Sequence, residues 1–156
     1  MKYGLTQDTV VTMKGLIDAI TFTSYSGEDF QGTAITLNVS VRTSPFPDDK
    51  SPVGIYIKDI TSAMPARAVG DFQRKAEEFF WLYCHAPKKA TVADVASTLI
   101  TGLNAVRKSS ARSGAAAELA FIEVLGERDV SEPNETPQGH KKIVEVRVMW
   151  WVSLGA

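Results

Sequence analysis

Residues 91–107 read TVADVASTLITGLNAVR and carry the clearest helical pattern in the chain. Their apolar side chains recur with a period of 3.6 residues, which places them on one stripe: Val92, Val95, Ala96, Leu99, Ile100, Leu103 and Val106. Thr91 and Asp94 suit an amino-terminal helix end, and Arg107 and Lys108 suit a carboxyl-terminal end. We therefore predict a helix here whose stripe faces a core.

Strand patterns lie on both sides of this helix. Residues 79–84 form a continuous apolar run. The polar residues 73–78 before them fit a short turn of helix or the start of the same strand, and we favour the strand. Residues 118–125 and 143–152 predict two further strands. In the last one, every second residue is apolar and lies on one face: Val144, Val146, Val148, Trp150 and Val152. A helix packed on a small sheet follows from this order.

The first part of the chain predicts a second helix and a hairpin. Residues 9–22 have helical spacing, with Thr6 or Asp8 as the capping residue, and residues 21–32 read as a loop. Residues 33–41 alternate strictly and predict one strand. A second alternating strand at residues 53–58 is expected to pair with it in a hairpin, across a proline-rich loop at residues 43–52.

A long polar segment precedes the last strand. Residues 126–142 read GERDVSEPNETPQGHKK and predict an exposed hairpin loop, far longer than the usual two to five residues. Its charges are segregated, because an acidic run containing Glu127, Asp129 and Glu132 precedes a basic end. Such a loop suits contact with an assembly partner, and a solvated loop without a partner is the alternative.

Composition limits the classes of protein. The chain has 156 residues, of which 44% are hydrophobic and 22% charged, as expected for a single domain spanning residues 1–156. A formal net charge of -1 gives no bulk signal for nucleic acid or an anionic membrane, so any charge effect must be local. No apolar run has the length of a membrane span or a signal peptide, so we expect a soluble protein made in a cytoplasm.

Residues that commonly carry chemistry are few. The only cysteine, Cys84, lies in an apolar run and is expected to be buried, and the only histidines are His85 and His140. Neither a spaced metal motif nor a nucleophile with a neighbouring base follows from them. The sequence therefore predicts no catalytic, cofactor-binding or metal-binding residues, and a protein that is not an enzyme.

The two adjacent tryptophans near the end of the chain point to opposite faces of a strand. Trp150 is expected in the core, which leaves Trp151 and Met149 on the other face, beneath another element or another subunit. Together with the charged segment, they complete the predicted interface: Glu127, Arg128, Asp129, Glu132, His140, Lys141, Lys142, Met149 and Trp151.

The order of elements, with a first helix, strands, a strand leading into a helix and a final hairpin, resembles the tail terminator, or tail completion, proteins of tailed bacteriophages. The resemblance spans about residues 9–152 and lies in architecture. It implies an α+β fold with a mixed or antiparallel sheet, an amino-terminal helix and a central helix packed on the sheet. It also implies a ring, hexameric in that family, and no catalytic residues.

The expected partners follow from the resemblance. The candidates are other copies of the chain, the tail tube protein, a head-proximal neck or connector protein and the tail sheath, within a virion assembled in the host cytoplasm. No cofactor, membrane or sequence-specific nucleic acid is expected. Another head-to-tail connector or neck protein is the closest alternative, and a small ligand-binding or catalytic α+β domain is a second one, which would need a deep apolar pocket.

Overall fold

The computed structural model describes residues 9–28, 31–43, 52–61, 67–69, 73–108, 118–130 and 139–153. These residues contain two helices and eight strands. In chain order, the elements are α1 (Thr9–Asp18), β1 (Tyr25–Glu28), β2 (Ala34–Leu37), β3 (Ser40–Arg42), β4 (Gly54–Thr61), β5 (Arg67–Val69), β6 (Gln73–Ala86), α2 (Lys89–Lys108), β7 (Glu118–Asp129) and β8 (His140–Ser153).

The strands form one main sheet and one small sheet. The main sheet has the order β3-β4-β6-β8-β7, and β5 pairs with the first part of β6. Strands β3 and β4 are parallel, whereas the other pairs in the sheet are antiparallel, so the sheet is mixed. Strands β1 and β2 form a separate antiparallel pair, which we call the arm. The predicted α+β class is confirmed.

Helix α2 matches its sequence pattern closely. It contacts β6, β7 and β8, and its predicted stripe is buried at Val92, Val95, Ala96, Leu99 and Leu103. The helix begins two residues before Thr91, and the amide of Val92 already donates to the carbonyl of Lys88 at 3.1 Å. Thr91 is therefore not the cap, because the first turn extends further back than the apolar stripe.

The core lies between the helices and one face of the main sheet. Strand β8 contributes four fully buried residues, Val144, Val146, Val148 and Trp150, so the predicted alternation is confirmed there. Facing residues of β6 and β4 complete the layer: Phe80, Leu82, Cys84, Ile55 and Ile57. Helix α1 adds Met13 and Ile17 from its position beside β3, β4 and α2.

A buried carboxylate lies within this apolar layer. Glu78 on β6 is 0% exposed, and its Oε1 accepts a hydrogen bond of 3.1 Å from the indole Nε1 of Trp150. The bond gives the large indole a defined polar partner inside the core, as buried tryptophan requires. The sequence pattern predicted the position of Trp150 but not this partner.

Three predictions for the first third of the chain are wrong. The segment at residues 21–32 contains strand β1, and the predicted single strand at residues 33–41 is two strands, interrupted at Asn38 and Val39. The expected antiparallel hairpin is instead a parallel pair of β3 with β4. Alternation identifies the faces of a strand, but it does not identify the neighbour with which that strand pairs.

The last hairpin also differs from its prediction. Strand β7 continues to Asp129 and β8 begins at His140, so the long loop expected at residues 126–142 is shortened at both ends. The structure describes Val130 and Gly139, and residues 131–138, including Glu132, lie outside the described residues. Thr6, Asp8 and residues 44–51 of the proline-rich loop also lie outside them.

Candidate functional site

The face of the main sheet opposite the helices is the candidate site, and we call it the open face. Alternation and register place these residues on it: Tyr56 and Lys58 of β4, Phe79, Trp81 and Tyr83 of β6, Ile143, Glu145, Arg147 and Met149 of β8, and Phe121 and Glu123 of β7. All except Lys58 and Ile143 are half-buried. Both helices pack on the other face, so no described helix covers these side chains.

Three aromatic rings form a cluster on this face. The ring centroids of Tyr56 and Tyr83 lie 5.8 Å apart, and those of Trp81 and Tyr83 lie 6.2 Å apart, both in tilted geometry. The guanidinium of Arg128 lies 4.5 Å from the centroid of Trp81, and its Nε is 3.2 Å from Glu145 Oε1. The rings and the guanidinium hold each other in place, because edge and cation contacts of this kind are favourable. We refer to Tyr56, Trp81 and Tyr83 as the aromatic cluster.

An ion-pair bridge crosses the same face next to the cluster. Arg147 on β8 donates from Nε to Glu77 Oε2 at 2.8 Å and from Nη1 to Glu123 Oε2 at 3.2 Å, so it links β6, β8 and β7. Its Nη2 also approaches Met149 Sδ at 3.7 Å. The hydrogen bond to Glu77, opposed in part by desolvation, raises the pKa of Arg147 above its usual value. Arg147 is therefore a cation at neutral pH, between two acidic side chains.

A buried histidine lies at one end of the open face, near the end of β6. His85 is 3% exposed, and its Nε2 lies 2.6 Å from Arg42 Nη1, while its Nδ1 lies 3.1 Å from the carbonyl oxygen of Pro52. Arginine can only donate, so Nε2 accepts and Nδ1 carries the proton that is donated to Pro52. Gly54 permits this approach, because a Cβ there would lie 2.7 Å from the Ser40 carbonyl oxygen and 3.0 Å from His85 Nε2.

Cys84 and His85 do not form a reactive pair. Adjacent strand residues point to opposite faces, and Cys84 lies on the helix-covered face with 0% exposure. Burial raises the pKa of the Cys84 thiol to about 12, with a smaller contribution from Glu127. Such a thiol is protonated at neutral pH and is a poor nucleophile.

The structure divides the predicted interface between the two faces of the sheet. Arg128, Lys141 and Met149 share the open face, whereas Glu127, Asp129, His140 and Lys142 alternate to the other side. The expected separation of acidic and basic patches is wrong for the paired residues, because Lys142 Nζ lies 3.3 Å from Glu127 Oε1 across the two strands. Trp151 lies on β8 opposite Lys75 and Glu118, and its side chain is outside the described residues.

The aromatic cluster was missed by sequence reasoning. Residues 79–84 were interpreted as one buried run, although alternation divides them between a core face and an open face. Tyr56 comes from a different strand, and Arg128 was assigned to a loop. Aromatic residues at alternate positions of β6, namely Phe79, Trp81 and Tyr83, were the available signal. Their relation to Tyr56 depends on the antiparallel register of β4 and β6.

The part of the chain that the structure describes shows neither a cluster of metal ligands nor a membrane-spanning helix. Among the described residues, no three side chains of histidine, cysteine, aspartate or glutamate come together in a way that could hold a metal ion. No helix in the described part of the chain is long and apolar enough to cross a membrane. In comparisons with known proteins, no protein-family model and no curated protein matches this chain significantly.

Proposed function

We propose that this protein is a structural subunit of a phage virion, of the tail terminator type, which forms a ring on the end of the tail tube. The ring stops growth of the tube and presents a docking surface to a head-proximal neck or connector protein, after assembly in the host cytoplasm. The observation that carries the proposal is the open face, a layer of side chains on strands that the described helices leave uncovered.

The composition of the open face favours a protein partner. Tyrosine, tryptophan, phenylalanine, methionine and arginine are the residues enriched at the centres of protein interfaces, and all five types occur there. Their contacts with one another fix the rings before any partner arrives, which reduces the ordering cost of association. A rigid, aromatic sheet face of this kind suits a lasting contact between subunits.

The sheet edges are less suited to that contact. Strand β7 is one edge of the main sheet, and its register with β8 shifts twice, between Leu119 and Phe121 and between Val124 and Gly126. Bulges twist an edge and interrupt its hydrogen-bonding groups, which opposes the addition of another strand. On the other side of the sheet, β3 and β5 are outer strands of three residues each. Association through faces therefore fits better than association through edges.

A ligand-binding or catalytic domain is less well supported. One hollow lies between the end of α1 and the β2–β3 connection, with a volume of about 190 Å³. Sites for small molecules usually enclose about 300 to 1,000 Å³ and bring several polar groups together. Five of the eight residues that line this hollow are apolar, and its polar groups come from Asp18, Thr23 and Asn38.

The experiment compares the wild-type protein with a variant of the open face, Tyr56→Ser with Tyr83→Ser. Sedimentation velocity and negative-stain images are collected for each protein alone and after incubation with tubes of the cognate tail tube protein. We expect rings with a central opening, or capped tubes, for the wild type and a strong loss of both for the variant. Thr101→Ser, an exposed change on α2, is the matched control and should behave as the wild type. A wild-type protein that stays monomeric alone and on tubes would contradict the proposal.

A further inference from the structure

The open face carries charges of opposite sign at its two ends. Around the aromatic cluster, register places four cations and one carboxylate: Arg42, Lys58, Arg128, Lys141 and Glu145. Further along the same strands, Arg147 lies between Glu77 and Glu123. Among these described side chains, four positive charges and one negative charge give the first group +3, whereas one positive and two negative charges give the second group -1. We call these groups the basic end and the acidic end.

A face with this charge pattern is complementary to a second copy of itself. Two open faces can meet across a twofold axis that lies between them and runs perpendicular to the strands. The strands of the two copies then run in opposite directions, and each basic end lies on the acidic end of the partner copy. A twofold axis parallel to the strands would place basic end on basic end, which like-charge repulsion opposes. The charges therefore favour the first arrangement.

Strand β7 shows the pattern within one element. Arg128 lies on the basic end and Glu123 on the acidic end of this strand, and both are on the open face. A twofold axis perpendicular to the strands keeps β7 above β7 of the partner copy and reverses its direction. Each Arg128 is thereby brought toward Glu123 of the other copy, and the contact occurs twice in the dimer.

The size of the face is sufficient for a reversible dimer. Strands β4, β6, β8 and β7 lie side by side, which gives a width of about 19 Å at ~4.8 Å per strand. From Lys141 to Met149 along β8, the face is about 27 Å long at ~3.3 Å per residue. Two packed faces therefore cover about 1,000 Å² in total, which is the lower bound for a specific interface.

We propose that, away from the tail tube, two copies pack their open faces together as a resting dimer. The inference rests on the proposed function, because it concerns how the docking face is held until the tube is present. Packing removes the half-buried rings of the aromatic cluster from water, where an uncovered patch of this kind usually marks an interaction site. The same packing makes the face unavailable for ring contacts, so the dimer must dissociate before a ring forms on the tube.

Single-stranded nucleic acid is another ligand that basic and aromatic sheet faces bind. Base stacking needs accessible ring faces, but here the rings contact each other and Arg128 lies over Trp81. A polyanion would also use only the basic end. A second copy accounts for the charges of both ends, and is therefore the occupant that the face favours.

The experiment is a charge swap across the twofold axis. Arg128→Glu and Glu123→Arg are prepared singly and together in the full chain, with Lys88→Glu as a matched reversal at an exposed lysine outside the open face. Circular dichroism verifies folding, and Arg128→Gln and Glu123→Gln serve as milder variants if a reversal unfolds the chain. Sedimentation equilibrium across a concentration series, without tubes and in about 0.05 and 0.3 M salt, measures association.

We expect a wild-type dimer that weakens in the higher salt, and a loss of association of about tenfold or more for each single reversal. The double swap should recover most of that loss. It does not restore the pairs of Arg128 with Glu145 and of Glu123 with Arg147 within one chain, so recovery reports contact between copies. Lys88→Glu should associate as the wild type.

Three results would overturn the inference. They are a wild type that stays monomeric without tubes, a wild type that forms rings directly without a dimer, and a double swap that associates no better than the single reversals. If the wild type never dimerises but caps tubes, the resting dimer is wrong and the proposed function stands. If the wild type dimerises as expected but never caps tubes, the dimer stands and the proposed function is wrong.

A nucleic acid arm adds an oligomer of about 25 thymidines to the wild type and to Arg128→Glu. Absence of binding supports a second copy as the occupant. A monomeric wild type that binds the oligomer, with binding abolished in Arg128→Glu, would show that the basic end is a nucleic acid surface and that the inference is wrong.

Discussion

The helix-covered face and the open face of the main sheet are built from the same strands, yet their side chains are fixed by different forces. On the covered face, β8 alone contributes four side chains with 0% exposure, packed beneath α2. On the open face, half-buried rings and charged groups contact one another across strands. Burial stabilises the first face, whereas mutual contacts orient the second. We therefore expect changes to the charged contacts of the open face to cost less folding stability than changes to the side chains of the covered face.

The largest effect should come from the helix that covers the core. Leu99 and Leu103 are both 0% exposed, so Leu99→Ala and Leu103→Ala should each lower the free energy of unfolding by about 2 to 5 kcal/mol. Urea unfolding followed by circular dichroism measures this loss. Thr101→Ala, on the exposed side of the same helix, is the control. Losses below about 0.5 kcal/mol in both leucine variants would contradict the packing described for α2.

A smaller effect is expected at the buried polar contact of the covered face. Trp150→Phe removes the indole donor to Glu78 Oε1 and should cost about 1 to 3 kcal/mol. The double variant, Trp150→Phe with Glu78→Leu, should lose less free energy of unfolding than the sum of the losses of the two single variants. The reason is that the double variant leaves no carboxylate beside residue 150 in the core. Strictly additive losses in urea unfolding would mean that the hydrogen bond does not couple the two residues.

The pH dependence of folding stability tests the burial of Cys84 on the covered face. Its thiol has a pKa of about 12 in the folded chain, above the roughly 8.5 of an unfolded cysteine, so only the unfolded state ionises between these values. The thiol's contribution is therefore full below about pH 8.5 and is lost as pH rises, by up to about 1.4 kcal/mol per unit. We expect the wild type to lose stability faster than Cys84→Ala between pH 8 and pH 10 in urea unfolding. Equal slopes would show that the thiol is hydrated in the folded protein.

The smallest effect should occur on the open face. Arg147 is 35% exposed and bridges two carboxylates, so solvent screens the pairs, and Arg147→Ala should cost no more than about 1 kcal/mol. The loss should shrink in high salt, which thermal unfolding at two salt concentrations measures. Lys14→Ala, which breaks an exposed pair on α1, is the control. A loss above about 2 kcal/mol that does not change with salt would mean that these ion pairs behave as buried ones, and would contradict the difference drawn between the two faces.

Much of the covered face could be predicted from the sequence. The period of residues 91–107 identified the buried stripe of α2, and the alternation of β8 identified Val144 and Trp150 as core, because both patterns are local. The strand partners could not be predicted in the same way. Residues 33–41 and 53–58 showed two alternating patterns, which are equally compatible with a hairpin and with the observed parallel pair.

The candidate site was harder to predict than the core. Glu127, Arg128 and Asp129 resemble a loop by composition, but cross-strand partners such as Lys142 and Glu145 allow charged residues to continue a strand. The aromatic cluster depends on rings from β4 and β6 and on a guanidinium from β7. No single segment contains that information, because it exists only once the strand order is known.

The two register shifts in β7 have a consequence for how large an assembly of this chain can become. A subunit that meets its copies through faces and also offers a straight strand edge has two independent directions of growth, and would build sheets or fibres without limit. The shifts next to Leu119 and Val124 remove regular pairing from the longer edge of the main sheet. If copies of the chain associate through faces, as proposed, the one residue inserted at each of two places in β7 leaves a single direction of growth, which is a condition for an assembly of defined size.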